Sequence, residues 1–274
     1  MRNIIIAFDG SQYSEGAMAF ARQMNSAERI SVTGLFLPQM IFANLWSYAD
    51  SGSGSGFIPL IEADDSEQIN KNILRFEQEC KKYNIKSIVK KDFFDFAIPE
   101  LQKETRFADI IIIGSESFYK HLGSEHSNEY LKDALHTSEC PVVVVPESYR
   151  YPESNILAYD GSESSVFAIK QFMYLFPEFS ELPTILVSLK LPGSNYAKNT
   201  DNIRALVADH FSSLSFMNLE LDAKKYFSTW ISEKKGSILV CGAFSRSFLS
   251  QLFRQSFVED VISEHKIPVF ISHK

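Results

Sequence analysis

The tripeptide Asp-Gly-Ser occurs twice in the chain, as Asp9-Gly10-Ser11 and as Asp160-Gly161-Ser162, each time after a short apolar run and before residues at helical spacing. Each residue type brings its own chemistry. The glycine lets backbone come close to a ligand or turn left-handed, and the serine can cap the following helix. The aspartate can accept a hydrogen bond from a base amino group or a ribose hydroxyl. The same residues could equally serve only the chain itself, with Asp and Ser side chains satisfying exposed amides at the helix start. Taken alone, the turn is compatible with both readings.

The phrases around the two turns resemble each other: "NIIIAFDGSQYSEGAMAF" opens the chain and "NILAYDGSESSVFAIKQF" follows just past its midpoint. Each reads as a strand (residues 4–8 and 156–159), a tight turn and a helix. The helical faces are carried by Ala17, Phe20, Ala21 and Met24, and by Phe167, Ala168, Phe172 and Leu175. Further apolar, β-branched segments follow, "ISVTGLF", "IKSIVKK", "ADIIIIGS" and "CPVVVVP" in the first half and "PTILVSL", "MNLELDA", "SILVCGA" and "IPVFISH" in the second. Amphipathic stretches at 69–83, 130–136, 203–214 and 257–264 separate them. Continuous apolar strands alternating with helices indicate a parallel sheet covered on both faces, since a strand with one wet face would alternate. The fold class expected is α/β, two tandem five-stranded doubly wound parallel-sheet domains. Ligands of such sheets bind beyond the carboxyl ends of the strands, where both Asp-Gly-Ser turns fall.

A length of 274 residues suits two domains. Asp9 matches Asp160 at an offset of 151, whereas Gly114 matches Gly242 at 128 and Pro141 matches Pro268 at 127, so the first half carries extra residues before its fourth strand. Their expected place is "LPQMIFANLWSYADSGSGSGFIPL", an irregular excursion with a Ser/Gly run, Trp46 and Tyr48. It could cover a site or be a tolerated surface insertion. The boundary falls in "PESYRYPESN", giving a first domain at 1–147, a linker at 148–154 and a second domain at 155–274.

Composition narrows the class. With 45% hydrophobic and 22% charged residues the chain reads as a soluble globular protein. A formal charge of −7 argues against nucleic acid and anionic membranes as partners. No apolar run approaches the ~20 residues that span a bilayer, and "MRNIIIAFDG" meets an acidic residue too early for a signal-peptide core, so a cytoplasmic location is expected. Cys80, Cys140 and Cys241 lack the spacing of a disulfide framework or zinc motif and read as buried apolar residues. The six histidines show no metal frame, and no Walker loop or nucleophile elbow appears. No catalytic residue and no metal ligand is assigned. Phe248, Phe253 and Phe257 read most simply as core.

The Asp-x-Ser turn after strand one, "ADIIIIGS" at strand four and "CPVVVVP" at strand five, in order and repeated, resemble the universal stress protein family. The resemblance covers essentially the whole chain as two tandem copies. It implies Rossmann-like, adenine nucleotide alpha hydrolase-like domains, paired through their last strands. In nucleotide-binding members it implies adenine near the strand-one aspartate. The phosphates then lie on a motif of Gly, two residues, Gly, nine residues and Gly-Ser/Thr after strand four. Glycine amides and a helix amino end suit that task.

Both halves depart from this motif. In "GSESFYKHLGSEHSNEYLKD", Gly114 and Ser115 keep the start and Ser117 holds the second glycine position, while the Gly-Ser position falls on Ser127-Asn128 counting forward or on Asn128-Glu129 counting back from Cys140-Pro141, neither of which supplies the glycine. Glu116, Glu125 and Glu129 would repel phosphate there, against Lys120, His121 and His126. In "CGAFSRSFLSQLFRQSFVED", Gly242 is kept, Ser245 replaces the second glycine and Gln255-Ser256 stands for Gly-Ser. Arg246 and Arg254 make this the half better suited to phosphate, although Glu163 lies beside its Asp-Gly-Ser turn.

Two functions are therefore expected side by side. One is a stress-response binding module holding a small anionic ligand such as ATP or AMP, with Mg, in one half. The other is a ligand-independent scaffold that recognises a protein partner. At most a slow ATPase would be added. The fifth strands are expected to pair within the chain, making a pseudo-dimer of the two halves.

Overall fold

A computed structural model of the chain describes residues 1–9, 12–37, 63–91, 97–116, 131, 133–190, 200–220, 230–231, 233–242, 262 and 267–272. The Ser/Gly excursion, the histidines at 121, 126, 265 and 273, and the phenylalanines at 248, 253 and 257 lie outside these residues.

The first half runs β1 (Arg2–Phe8), α1 (Glu15–Ala27), β2 (Ile30–Phe36), α2 (Ala63–Lys82), β3 (Lys86–Lys90), α3 (Ala97–Thr105), β4 (Ile110–Gly114) and β5 (Val142–Val145). The second runs β6 (Ser154–Tyr159), α4 (Glu163–Leu175), a 3-10 turn (Pro177–Phe179), β7 (Thr184–Lys190), α5 (Thr200–Ala208), β8 (Leu214–Glu220), β9 (Ser237–Gly242) and β10 (Val269–Ser272). The strands form one ten-stranded sheet in the order β3-β2-β1-β4-β5-β10-β9-β6-β7-β8. The mixed α/β class with a large, mostly parallel sheet is as expected. Eight of the nine strand pairings in this order are parallel, and the one antiparallel pairing is β5 with β10, in register Val144↔Val269, Val143↔Phe270 and Val142↔Ile271.

Strand alternation sorts the core into two layers. Ile4, Ile6 and Phe8 of β1, Ile110 and Ile112 of β4, and Val143 and Val145 of β5 join Leu157, Phe172 and Phe270 on one face. Ile5, Ala7, Ile111, Ile113, Val142 and Val144 join Ile156, Leu239, Val269 and Ile271 on the other. Each layer thus draws on both halves. At the first layer's centre, Phe270 meets Phe172 at 5.4 Å and Phe176 at 5.8 Å between ring centroids. Tyr151, from the segment joining β5 to β6, lies 5.4 Å from Phe20 and 5.8 Å from Phe179. Arg2 crosses from β1 to the carboxyl end of α4, where it donates to the Leu175 carbonyl and places Nη1 2.9 Å from Glu178 Oε1. A cation is favoured there by the helix dipole.

Three readings of local sequence shift. The edge strand β3 alternates exposed and half-buried residues, because it has only β2 beside it. The amphipathic stretch 203–214 is not one helix: α5 stops at Ala208, and Leu214 already opens β8. Buried Phe211 reads as another helical apolar position but accompanies the turn into the strand. The strand expected at "MNLELDA" begins three residues earlier, at Leu214.

Candidate functional site

In each half the chain passes from its first strand to the strand on one side and later returns to the other, so the switch points lie between β1 and β4 and between β6 and β9. A crevice at the carboxyl ends of those strands is where a ligand of such a sheet enters. The register Ala7↔Ile113 puts Asp9 and Ser115 just beyond the strand ends in the first half.

Asp9 is 2% exposed, and its Oδ1 accepts a hydrogen bond from the Gln12 amide at 2.6 Å. Asp160 does the equivalent over a shorter turn, accepting from the Ser162 amide at 2.9 Å. Gly161 has φ +83°, and a Cβ there would meet nothing within 4 Å, so glycine is required by conformation alone. Ser162 caps α4, its Oγ accepting from the Ser165 amide at 3.1 Å.

The first half departs from its copy here. The cap of α1 is Ser14, whose Oγ accepts from the Ala17 amide at 3.3 Å, and not Ser11. Consequently α1 starts at Glu15 and α4 at Glu163, 148 positions apart, whereas the aspartates are 151 apart. Both serines can cap, and the helix takes the later one, which lets its buried face of Ala17, Phe20, Ala21 and Met24 match Ser165, Ala168, Ile169 and Phe172.

Over the end of β4 sits a group that sequence reasoning missed. Glu147, two residues past β5, accepts from the Ser14 hydroxyl at 2.7 Å and from the Gly16 amide at 3.1 Å. It lies 133 positions from Ser14, and nothing local in the sequence announces the contact. A Cβ on Gly114 would stand 2.9 Å from Ser14 Cβ and 3.0 Å from Glu147 Oε1. The Ser115 amide donates to the Val145 carbonyl at 2.9 Å, extending the sheet. In the second half a Cβ on Gly242 would stand 2.5 Å from Ser164 C and from Ser165 N, so the first turn of α4 rests directly on the end of β9. Both retained glycines therefore have a packing reason that operates without any ligand.

Of the residues named from sequence, Gly114 and Ser115 lie at one strand end and Asp160, Gly161, Ser162 and Gly242 around the other. Gly10, Ser11, Ser117, Ser127, Ser245, Arg246 and Ser256 lie outside the described residues. Among the described residues no group of three or more His, Cys, Asp or Glu could hold a metal ion, and no helix is long and apolar enough to cross a membrane.

Cys80, Cys140 and Cys241 are free and buried. Burial pushes the thiol of Cys80 up to about 11 and those of Cys140 and Cys241 up to about 12. Because the thiolate is the reactive form, native protein at pH 7.5 is expected to consume no thiol reagent in a disulfide-exchange assay, and all three cysteines are expected to react in denaturant. Rapid labelling of any cysteine in native protein would contradict this burial.

No family model matches the chain, and no curated protein does. Solved structures do. The crystal structure of a universal stress protein from Archaeoglobus fulgidus DSM 4304 shares 16% identity, covers 100% of this chain and 96% of its own, and superposes with a TM-score of 0.72. A putative universal stress protein from Pseudomonas aeruginosa UCBPP-PA14 shares 13% identity, covering 100% of this chain and 93% of its own at a TM-score of 0.58. A protein of unknown function from Pseudomonas aeruginosa PAO1 is similar to the same degree, with 13% identity, 100% and 92% coverage and a TM-score of 0.58. Over its whole length, this chain has the fold of the universal stress proteins.

Proposed function

We propose that the chain is a tandem universal stress protein that acts in a general stress response as a small-ligand-responsive binding module of the cytoplasm. Its two units, 1–147 and 155–274 joined by 148–154, form an intrachain pseudo-two-fold pair through β5 and β10. The mirrored strand order and the single antiparallel pairing at the sheet's centre support that arrangement. Fusion keeps the second unit at high effective concentration for the first.

The ligand proposed is an adenine nucleotide, ATP or AMP with Mg, or another small anion, taken at the second unit. The observation that carries this is the corner at β9, where Gly161 turns left-handed, Ser162 caps α4 and the helix's first turn abuts Gly242. A helix amino end favours negative charge, and the sequence supplies Arg246 and Arg254 on the following segment. Calorimetric titration of nucleotide-stripped protein with Mg-ATP tests it. Saturable heat with about one site per chain is expected, and no binding at millimolar ATP would overturn it.

A second reading has its own support. Asp9 and Asp160 each commit a carboxylate oxygen to an amide of their own turn, which satisfies the turn without a ligand and supports a ligand-independent interaction protein with an unidentified protein partner. The same titration separates the two.

A further inference from the structure

Glu147 stands where an anion would stand. Its two oxygens are held by the hydroxyl of the α1 cap, Ser14, at 2.7 Å and by the Gly16 amide, in the helix's first turn, at 3.1 Å. The same oxygen that bonds Ser14 lies 3.0 Å from the position of a Gly114 Cβ, so the Ser14 side chain, which stands nearer, and the Glu147 carboxylate together fill the space over the end of β4. That position is the β1/β4 switch point, the place where the fold offers a crevice. At the second switch point the space over Gly242 is taken by the backbone of Ser164 and Ser165.

We infer that Glu147 is a built-in ligand of the first half, whose carboxylate closes the β1/β4 crevice against external anions. The contact is also tied to the seam between halves. Glu147 belongs to the segment that places Tyr149 6.2 Å and Tyr151 5.4 Å from Phe20 by ring centroids. An anion that displaced Glu147 would have to move the segment that packs the two halves together.

The inference rests on the crevices being the ligand entrances proposed above, but its test uses no nucleotide. Full-length protein labelled with 15N-glycine has 12 glycines, so the Gly16 amide can be followed alone. In wild-type protein, sodium formate is expected to leave the Gly16 resonance and Tm no different from chloride at equal ionic strength. In Glu147→Ala, Tm is expected to fall by about 3–8 °C for the loss of charge-assisted hydrogen bonds. Formate, but not chloride, should then shift the Gly16 amide saturably and recover part of that Tm. Glu147→Gln keeps one acceptor oxygen without the charge, should give a smaller fall, and carries the test if the alanine variant does not fold. An unchanged Tm in both variants, or a Gly16 resonance that responds to formate equally with Glu147 present, would overturn the inference. Absence of ATP binding with formate rescue intact would refute the nucleotide reading and leave the closed crevice standing.

Discussion

Replacing Val143 by Asp is expected to destabilise the protein by more than about 4 kcal/mol, enough to remove most of the stability of an ordinary domain. Val143 is 0% exposed, stands opposite Phe270 in the β5–β10 register and belongs to the core layer shared by both halves. Arg2, a cation on that face, is already held by the Leu175 carbonyl and Glu178, and burial of an unpaired charge is among the costliest single changes a core can suffer. Ile88→Asp provides the contrast. Ile88 is 49% exposed on β3, at the sheet's outer edge, and its replacement is expected to cost under ~1 kcal/mol. Urea denaturation midpoints compare the two. Equal midpoints would mean that the central pairing carries no more of the stability than the edge.

Gly16→Ala should lower stability even though alanine is the better helix former by about 0.8–1.0 kcal/mol. Gly16 lies in the first turn of α1, and a Cβ there would run into the Pro146 carbonyl, 2.8 Å from its carbon and 3.0 Å from Glu147 Cα. Both neighbours are backbone, so relief requires either α1 or the segment after β5 to move. Overpacking of this kind costs roughly 1–3 kcal/mol or more, which outweighs the gain in propensity. Gly242→Ala should behave alike, because its Cβ would meet the backbone of Ser164 and Ser165 at 2.5 Å. Thermal unfolding checks both, with a fall of roughly 2–4 °C expected for each kcal/mol lost. A raised Tm in Gly16→Ala would show that propensity dominates and that α1 does not press against the segment after β5.

These cases mark what the sequence makes legible. The strands were legible because β4 reads Ile-Ile-Ile-Ile and β5 Val-Val-Val-Val, runs that suit only a sheet buried on both faces. Pairing of the fifth strands was expected from the resemblance and not from the residues themselves. The turn after β1 was legible in kind but not in length: Ser11 and Ser14 are both capping residues, and the choice between them is made by packing of α1 against the sheet. The retained glycines read in the sequence as part of a phosphate loop, and Gly114 and Gly242 have in addition close neighbours that exclude a side chain. That reason exists only in three dimensions, as does the Glu147 contact with Ser14. Edge strand β8 was misplaced by three residues because Phe211 and Leu214 satisfy helical spacing as well as they satisfy a turn into a strand.

The claim most central to the account is that the second half alone takes an anionic ligand. Mg-ATP titrated calorimetrically into the Asp9→Ala and Asp160→Ala variants, with Tm recorded for each, tests it most directly. Asp9→Ala is expected to bind as the unaltered chain does, and Asp160→Ala to remain folded but lose affinity by about tenfold or more, the equivalent of about 1.4 kcal/mol. Loss of binding in Asp9→Ala with Asp160→Ala unaffected would place the ligand in the first half and contradict it.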